Sequence, residues 1–168
     1  MPHLVAPTVA AAASLRAAAI AHPDETLPEY QELVSGLPDA DLPAYVDRLL
    51  ADTREGTARP DGYVPSTHLW WVDGTTYLGR VHIRHRLTPT LRRVGGHIGY
   101  YVVPPFRGQG HATAMFAAAL PIAAALGVEC ALVTCDVANS ASRKVIEGRG
   151  GLLEDEAEGK LRFWVPTT

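Results

Sequence analysis

The rhythm of polar and apolar positions divides the chain into a helical first third and a strand-rich remainder. His3 to Pro7 (HLVAP) is a short apolar run closed by a proline, which predicts a brief strand. Thr8 is placed to cap an alanine-rich helix running to about Ala21. Pro23, Pro28, Pro38 and Pro43 interrupt residues 22–44, so any helix there is short. A further helix is predicted from about Pro43 to Thr53, with proline in its first turn and apolar Ala44, Val46, Leu49 and Leu50. Residues 54–65 read as loop.

The period then changes to two. Thr67 to Val72 (THLWWV) and Thr76 to Arg84 (TYLGRVHIR) flank Asp73-Gly74, a strong hairpin signal that calls for positive φ at both residues. One of Trp70 and Trp71 is expected in the core and the other on a cleft wall or the surface. Gly96 to Val103 predicts a third strand, whose exit is stiffened by Pro104-Pro105. A helix is expected from about Gly110 to Leu126, kinked or interrupted near Ala117 by Pro121. A buried strand (Val128 to Cys135), a helix (Ser140 to Arg149) and a final hairpin follow. The hairpin pairs Leu152-Leu153 with Leu161 to Val165 across an acidic turn, Glu154 to Glu158. This order predicts an α/β sandwich.

At 168 residues, 47% hydrophobic and 20% charged, the chain can bury a core without a metal or disulfide staple. Lys plus Arg number 15 and Asp plus Glu 18, a formal charge of −3. That balance argues against a nucleic-acid partner. Cys130 and Cys135 fall five apart on one predicted strand, on opposite faces, and read as free thiols of a reducing compartment. Arg16 breaks the alanine-rich start, and no basic residue precedes it, so neither a membrane span nor a signal peptide is expected. A cytoplasmic protein follows, with a homodimer as the default assembly. His82 and His85 point to opposite strand faces and make a poor chelating pair, so no metal is expected.

The chemistry concentrates in Val102 to Thr113 (VVPPFRGQGHAT). A strand ends, prolines rigidify its exit, Phe106 offers a core anchor, and Arg107-Gly108-Gln109-Gly110 opens a helix. Free N–H groups and the dipole at a helix start favour an anion, and glycines let the backbone approach a phosphate. A Walker loop needs a lysine that is absent here. A dinucleotide fingerprint needs a third glycine where Thr113 stands, although Asp136 could serve as its ribose-binding acid.

The stretch Arg107, Gly108, Gln109, Gly110, His111, Ala112 resembles the acetyl-CoA loop of the GCN5-related N-acetyltransferase (GNAT) family, whose pattern is Arg/Gln-x-x-Gly-x-Gly/Ala. The strand GHIGYYVVPP before it, Asn139-x-x-Ser142 after it and the closing Ile146 to Gly151 extend the resemblance over about residues 64–166. It implies one domain: a helical acceptor-side region over 1–62 and a core over 63–168. The central sheet would be mixed but mostly antiparallel, with six to seven strands and about four flanking helices, splayed at the acetyl-CoA site. Pantetheine would lie along Tyr101, Val102 and Val103, and the pyrophosphate on the amides of Gly108, Gln109, Gly110, His111 and Ala112, with Arg107 adding charge. Asn139 and Ser142 would close the other side. The Val102 N–H would polarise the thioester carbonyl, and a primary amine would attack directly through a tetrahedral intermediate. His97 stands where relatives carry a base. The tyrosine that usually protonates the thiolate is replaced by Ile146, which leaves Tyr100, Tyr101, Cys135 or solvent. That departure keeps open a catalytically silent CoA-binding module or regulator.

Charge layout adds two expectations. Gly74 to Val128 contains no acid but carries Arg80, Arg84, Arg86, Arg92, Arg93 and Arg107, which suits a polyanionic cofactor. Residues 24–61 carry Asp24, Glu25, Glu29, Glu32, Asp39, Asp41, Asp47, Asp52, Glu55 and Asp61. In the family that the chain resembles this segment borders the acceptor cleft, which implies a cationic small-molecule amine as acceptor; the alternative is a solvated acidic face.

Overall fold

A computed structural model describes residues 1–25, 27–35 and 41–168. The expectations that fell on Pro38 and Asp39 lie outside the described residues. The elements run β1 (His3–Val5), α1 (Val9–Ala21), α2 (Pro28–Val34), α3 (Leu42–Ala51), β2 (Ser66–Asp73), β3 (Thr76–Arg84), α4 (Pro89–Arg93), β4 (Ile98–Val102), α5 (His111–Ala125), β5 (Cys130–Asp136), α6 (Ser140–Glu147), β6 (Leu152–Ala157) and β7 (Lys160–Pro166). A 3-10 turn, Pro104–Phe106, links β4 to the loop before α5.

The strands form two antiparallel sheets, β1-β2-β3-β4 and β5-β7-β6. The mostly antiparallel, seven-stranded architecture is as expected; the described residues hold six α-helices rather than about four. With no parallel ladder among the strand pairs, the dinucleotide-fold alternative falls away.

Alternation along β2, β3 and β4 sends side chains to two cores. Leu69, Trp71, Val81, Ile83, Ile98 and Val102 pack with Met115, Phe116 and Ala119 of α5 and with Val133 and Phe163 of the second sheet. Trp70, Val72, Tyr77, Tyr101 and Val103 pack under α1, α2 and α3 with Leu15, Tyr30 and Tyr45. Both Trp70 and Trp71 are therefore buried, because each face of this sheet is covered. The expectation of one exposed indole or cleft wall is corrected.

Other local expectations shift for physical reasons. In the first hairpin Asp73 pairs with Thr76, so the turn is Gly74-Thr75; Gly74 alone adopts a positive φ, 59°. The acidic segment before the last strand is not a turn. Glu154 to Ala157 extend β6, and the reversal falls at Glu158-Gly159, with φ 54° and 73°. α5 runs unbroken through Pro121, which lies on its exposed side while Met115, Phe116, Ala119, Leu120 and Ala123 anchor the opposite stripe. α4 was not anticipated, although Thr88 and Pro89 carried its signal: the Thr88 hydroxyl caps the Leu91 N–H at 3.2 Å.

Hydrogen bonds join the two sheets where β4 begins. The His97 N–H donates to Leu132 O at 2.7 Å, and Gly95 N–H reaches Thr134 Oγ1 at 3.3 Å. Gly96 sits at φ 62° with Leu132 O only 2.3 Å from where a Cβ would stand. Gly96→Ala is expected to lower stability by about 2–4 kcal/mol through a strained backbone and a forced separation of the sheets. Urea denaturation checks this, and a loss under 0.5 kcal/mol would mean the junction yields freely.

Candidate active site

Beyond that junction β4 and β5 share no ladder, and a cleft of about 520 Å³ opens beside β4, between the starts of α5 and α6. Tyr101, Val102, Arg107, Gly108, Gly110, His111, Ala112, Asn139 and Ser142 all line it, together with Tyr100, Phe106 and Thr113. Val103 and Gln109 are not among the residues that line it. Val103 donates its N–H to Leu78 O at 2.9 Å, so its amide belongs to the β3 ladder. Gln109 turns its side-chain amide onto Pro105 O at 3.1 Å.

The Val103 bond fixes the alternation of β4. Residues 101 and 103 present their amides to β3, so those of Tyr100 and Val102 face the gap. The Val102 carbonyl already has a partner there, Arg107 Nε at 2.9 Å, which leaves the Val102 N–H as a donor into the cleft.

The floor is a cradle of backbone N–H groups. Gly108 and Gly110 adopt φ of 74° and 83°, open to glycine, and no atom lies within 4 Å of where either Cβ would stand. Gly110 caps α5 with its backbone only, and the first bond of the helix is Ala114 N–H to Gly110 O at 3.0 Å. The amides of His111, Ala112 and Thr113 thus have no acceptor within the helix. Phe106 is wedged against both cores and sets the height of the loop. The Trp71 indole N–H holds His111 Nδ1 at 3.2 Å.

Arg107 is a tie rather than a free charge. Besides Val102 O, its guanidinium meets Glu25 Oε2 at 2.8 Å and lies over the Tyr101 ring at 5.3 Å. The other arginines of the acid-free stretch are committed as well: Arg80 to Glu29, Arg86 to Glu55, Arg92 to Glu154 and Arg93 to Glu158. Arg84 donates to the carbonyls of Gly95 and Gly96. Five of these six arginines are thus held by carboxylates and Arg84 by backbone carbonyls, so at the cleft floor the pull on an anion comes mainly from peptide dipoles. Five of the described acids of residues 24–61 are likewise engaged within the protein. Glu25, Glu29 and Glu55 hold core arginines, while Glu32 holds Arg48 and Asp52 holds Arg59 and His68.

On the α6 side, Asn139 Oδ1 caps the Ser142 N–H at 3.0 Å. The Tyr100 and Ser142 hydroxyls lie 2.5 Å apart, joining β4 to α6 across the cleft. Burial, partly offset by that bond, pushes the Tyr100 phenol up to about 12. The Tyr101 hydroxyl lies on the opposite face, against Tyr30, in the layer of α2. Burial also raises the Cys135 thiol. Ile146 is fully buried.

His97 is placed away from the cleft, whose lining does not include it. Its Nδ1 accepts the Leu132 N–H at 2.9 Å, taking the place of a strand carbonyl. Burial first, then the nearby Arg84 charge, lowers its pKa to about 4. Among the described residues, no group of three or more His, Cys, Asp or Glu side chains could hold a metal, and no helix is long and apolar enough to cross a membrane. Cys130 is exposed and Cys135 buried, both as free thiols.

Known proteins place this geometry. A family model described as the acetyltransferase (GNAT) domain matches residues 4–151, and the chain belongs to that family. Solved structures share the fold at low identity. MccE, a microcin self-immunity acetyltransferase in complex with acetyl-CoA and AMP, has a TM-score of 0.68 at 15% identity, covering 98% of this chain and 92% of its own. RimL, a ribosomal alpha-N-protein acetyltransferase in complex with coenzyme A, gives 0.65 at 17%, covering 97% and 92%. Mycobacterium smegmatis RimJ gives 0.70 at 19%, covering 98% and 81%. No curated protein sequence matches the chain.

Two outcomes follow from the site. Gly110→Ala strains the αL position and fills the cradle, so CoA affinity by calorimetry should fall about tenfold or more, roughly 1.4 kcal/mol. His97 is neutral when folded but takes a proton near its ordinary value when unfolded. Stability should therefore drop as pH falls from about 6.5 toward 4, by on the order of 2–3 kcal/mol for this residue. Urea melts of the wild type and His97→Gln across that window measure the difference, and parallel curves would remove His97 from the pH dependence.

Proposed function

We propose that the protein is an N-acetyltransferase that moves an acetyl group from acetyl-CoA to a primary amine. The observation that carries this reading is the cleft between β4 and the starts of α5 and α6, with the Val102 N–H turned into it and the glycine-rich start of α5 at its floor. Acetyl-CoA, when bound, supplies an activated thioester. The amides of Gly108 to Ala112 would hold its pyrophosphate, helped by the α5 dipole. Arg107 acts mainly by fixing the loop to Val102 O, so that cradle and strand keep one spacing. The Val102 N–H donates to the carbonyl oxygen as charge grows there.

Of the groups that could take the place of the usual tyrosine, Tyr100 is the one whose hydroxyl meets a partner in the cleft, Ser142. With its pKa near 12 the phenol keeps its proton at working pH. It therefore serves the departing sulfur as a hydrogen-bond donor more than as an acid, since an ordinary thiol ionises near 8.5. His97 is assigned to joining the sheets and not to proton removal, because its Nδ1 is occupied and its ring lies outside the cleft.

The buried Ile146 favours one second reading, a CoA-binding module without turnover. A thiol-release screen of acetyl-CoA against amines, amino acids and aminoglycosides separates the two. Release with at least one class is expected; tight CoA binding with no release would support the module. Where release occurs, Tyr100→Phe should lower kcat about 10–100-fold with little change in KM for acetyl-CoA. An unaltered kcat would take Tyr100 out of the chemistry.

A further inference from the structure

A second cavity of about 270 Å³ adjoins the first and shares Tyr100, Asn139 and Ser142 with it. The two meet at the gap between β4 and β5. Arg84, Thr134 and Asp136 line only the second cavity. They alternate with Ile83, Val133 and Cys135, whose side chains enter the α5 core, so they stand on the opposite face of the strands. An acceptor coming from that face would reach the throat without crossing the cofactor cleft.

The charges there are unbalanced in one respect. Each of the other five arginines between Gly74 and Val128 meets a carboxylate. Arg84 has none among the described residues. Its Nη1 donates to Gly95 O at 3.1 Å and Gly96 O at 3.0 Å, which leaves donors of the guanidinium fork over. Lys160 is neutralised by Asp136. The histidines close to Arg84 bring no negative charge: burial lowers the pKa of both His82 and His97. Tyr100 and Cys135, the remaining titratable groups of the lining, are both held in their neutral forms by burial. Burial also lowers the pKa of Arg84 itself, the mark of a guanidinium short of counter-charge. Leaving such a group half-buried is unfavourable until an anion meets it.

We propose that this cavity receives the acceptor and that the acceptor is an amine carrying a carboxylate, bound by Arg84 while the amine faces the throat at Tyr100 and Ser142. The inference rests on the acetyltransferase reading and names its substrate class. It reverses the cationic acceptor expected from the acidic segment: a polycation would meet Arg84 as a like charge, while most of the described acids of that segment already hold arginines or histidine.

The test uses the full chain, acetyl-CoA and matched acceptors that differ only in the carboxylate: glycylglycine against glycylglycinamide, and β-alanine against its amide. The carboxylates should show kcat/KM at least tenfold above their amides. Arg84→Gln should bring that ratio close to one through KM, and Arg84→Lys should restore part of it. Amides or polyamines used as well as carboxylates by the wild type would overturn the inference, without reliance on any variant's folding. Calorimetry on the CoA-saturated chain gives an independent arm. Glycylglycine binding that Arg84→Gln removes supports the inference even without thiol release, and CoA binding with no carboxylate binding overturns it alone. Failure to bind CoA at all would instead overturn the acetyltransferase reading beneath it.

Discussion

The site depends on one junction, where a side chain takes the place of a backbone carbonyl. At the start of β4 the His97 ring accepts the Leu132 N–H while the His97 N–H reaches Leu132 O. The imidazole is wider than a peptide carbonyl, and Gly96 turns the chain through a left-handed conformation beside it. The two strands are thus pinned at one end without being in register to continue a ladder. Beyond this point no ladder joins them. An unpaired strand edge inside a protein normally invites association. Here it is walled by the start of α5 on one side and of α6 on the other, so the edge faces a cleft of defined width. The junction also explains why a histidine suits the position: it accepts a hydrogen bond only when neutral, and burial keeps it so.

Electrostatics in this chain hold the layers together before they serve any ligand. The acid-free middle of the sequence and its acid-rich flanks are complementary halves of the same set of pairs. Glu29 and Glu55 reach Arg80 and Arg86 from the helical layer, and Glu154 and Glu158 reach Arg92 and Arg93 from the last hairpin. Several of these are exposed pairs, individually worth little, but together they fix which surface each segment covers. Glu25 and Arg107 extend the pattern to the cleft, where the pair connects the helical region to the glycine loop through Val102 O. The free backbone amides and the dipole at the start of α5 are thereby fixed in place by the fold.

Much of the fold was legible from local signals, and the failures have a common cause. Strand alternation, proline at first turns and glycine at helix ends placed nearly all elements within a few residues. The Arg107 to Ala112 loop announced its own geometry because φ above zero and missing Cβ atoms are written in the glycines. What the sequence alone could not convey was pairing across distance. The net charge of a segment does not say whether its acids face solvent or an arginine eighty residues away, as Glu25 faces Arg107. A histidine at a strand start looks the same whether its ring enters a cleft or replaces a carbonyl, and only the position of Leu132 decides. Asp73 looked like a turn residue because Asp-Gly is a local signal, yet it pairs with Thr76 and the turn falls one residue later, at Gly74-Thr75.

The same division by strand face separates two tasks that a single cleft would have to combine. Side chains of β4 alternate between the cofactor side, through Tyr100 and Val102, and the layer beneath α1 to α3, through Tyr101. The groups that would hold acetyl-CoA on the proposed reading are largely backbone, and would tolerate change in side chains as long as the glycines and the junction remain. Groups on the opposite face are side chains at strand ends, Arg84, Thr134 and Asp136, whose replacement leaves the backbone cradle untouched. Acceptor choice on this scaffold can therefore be set by a few charges around the throat, with the geometry of the donor site constant. That selection would reside as much in the ends of β3 and β5 as in the helical first third of the chain.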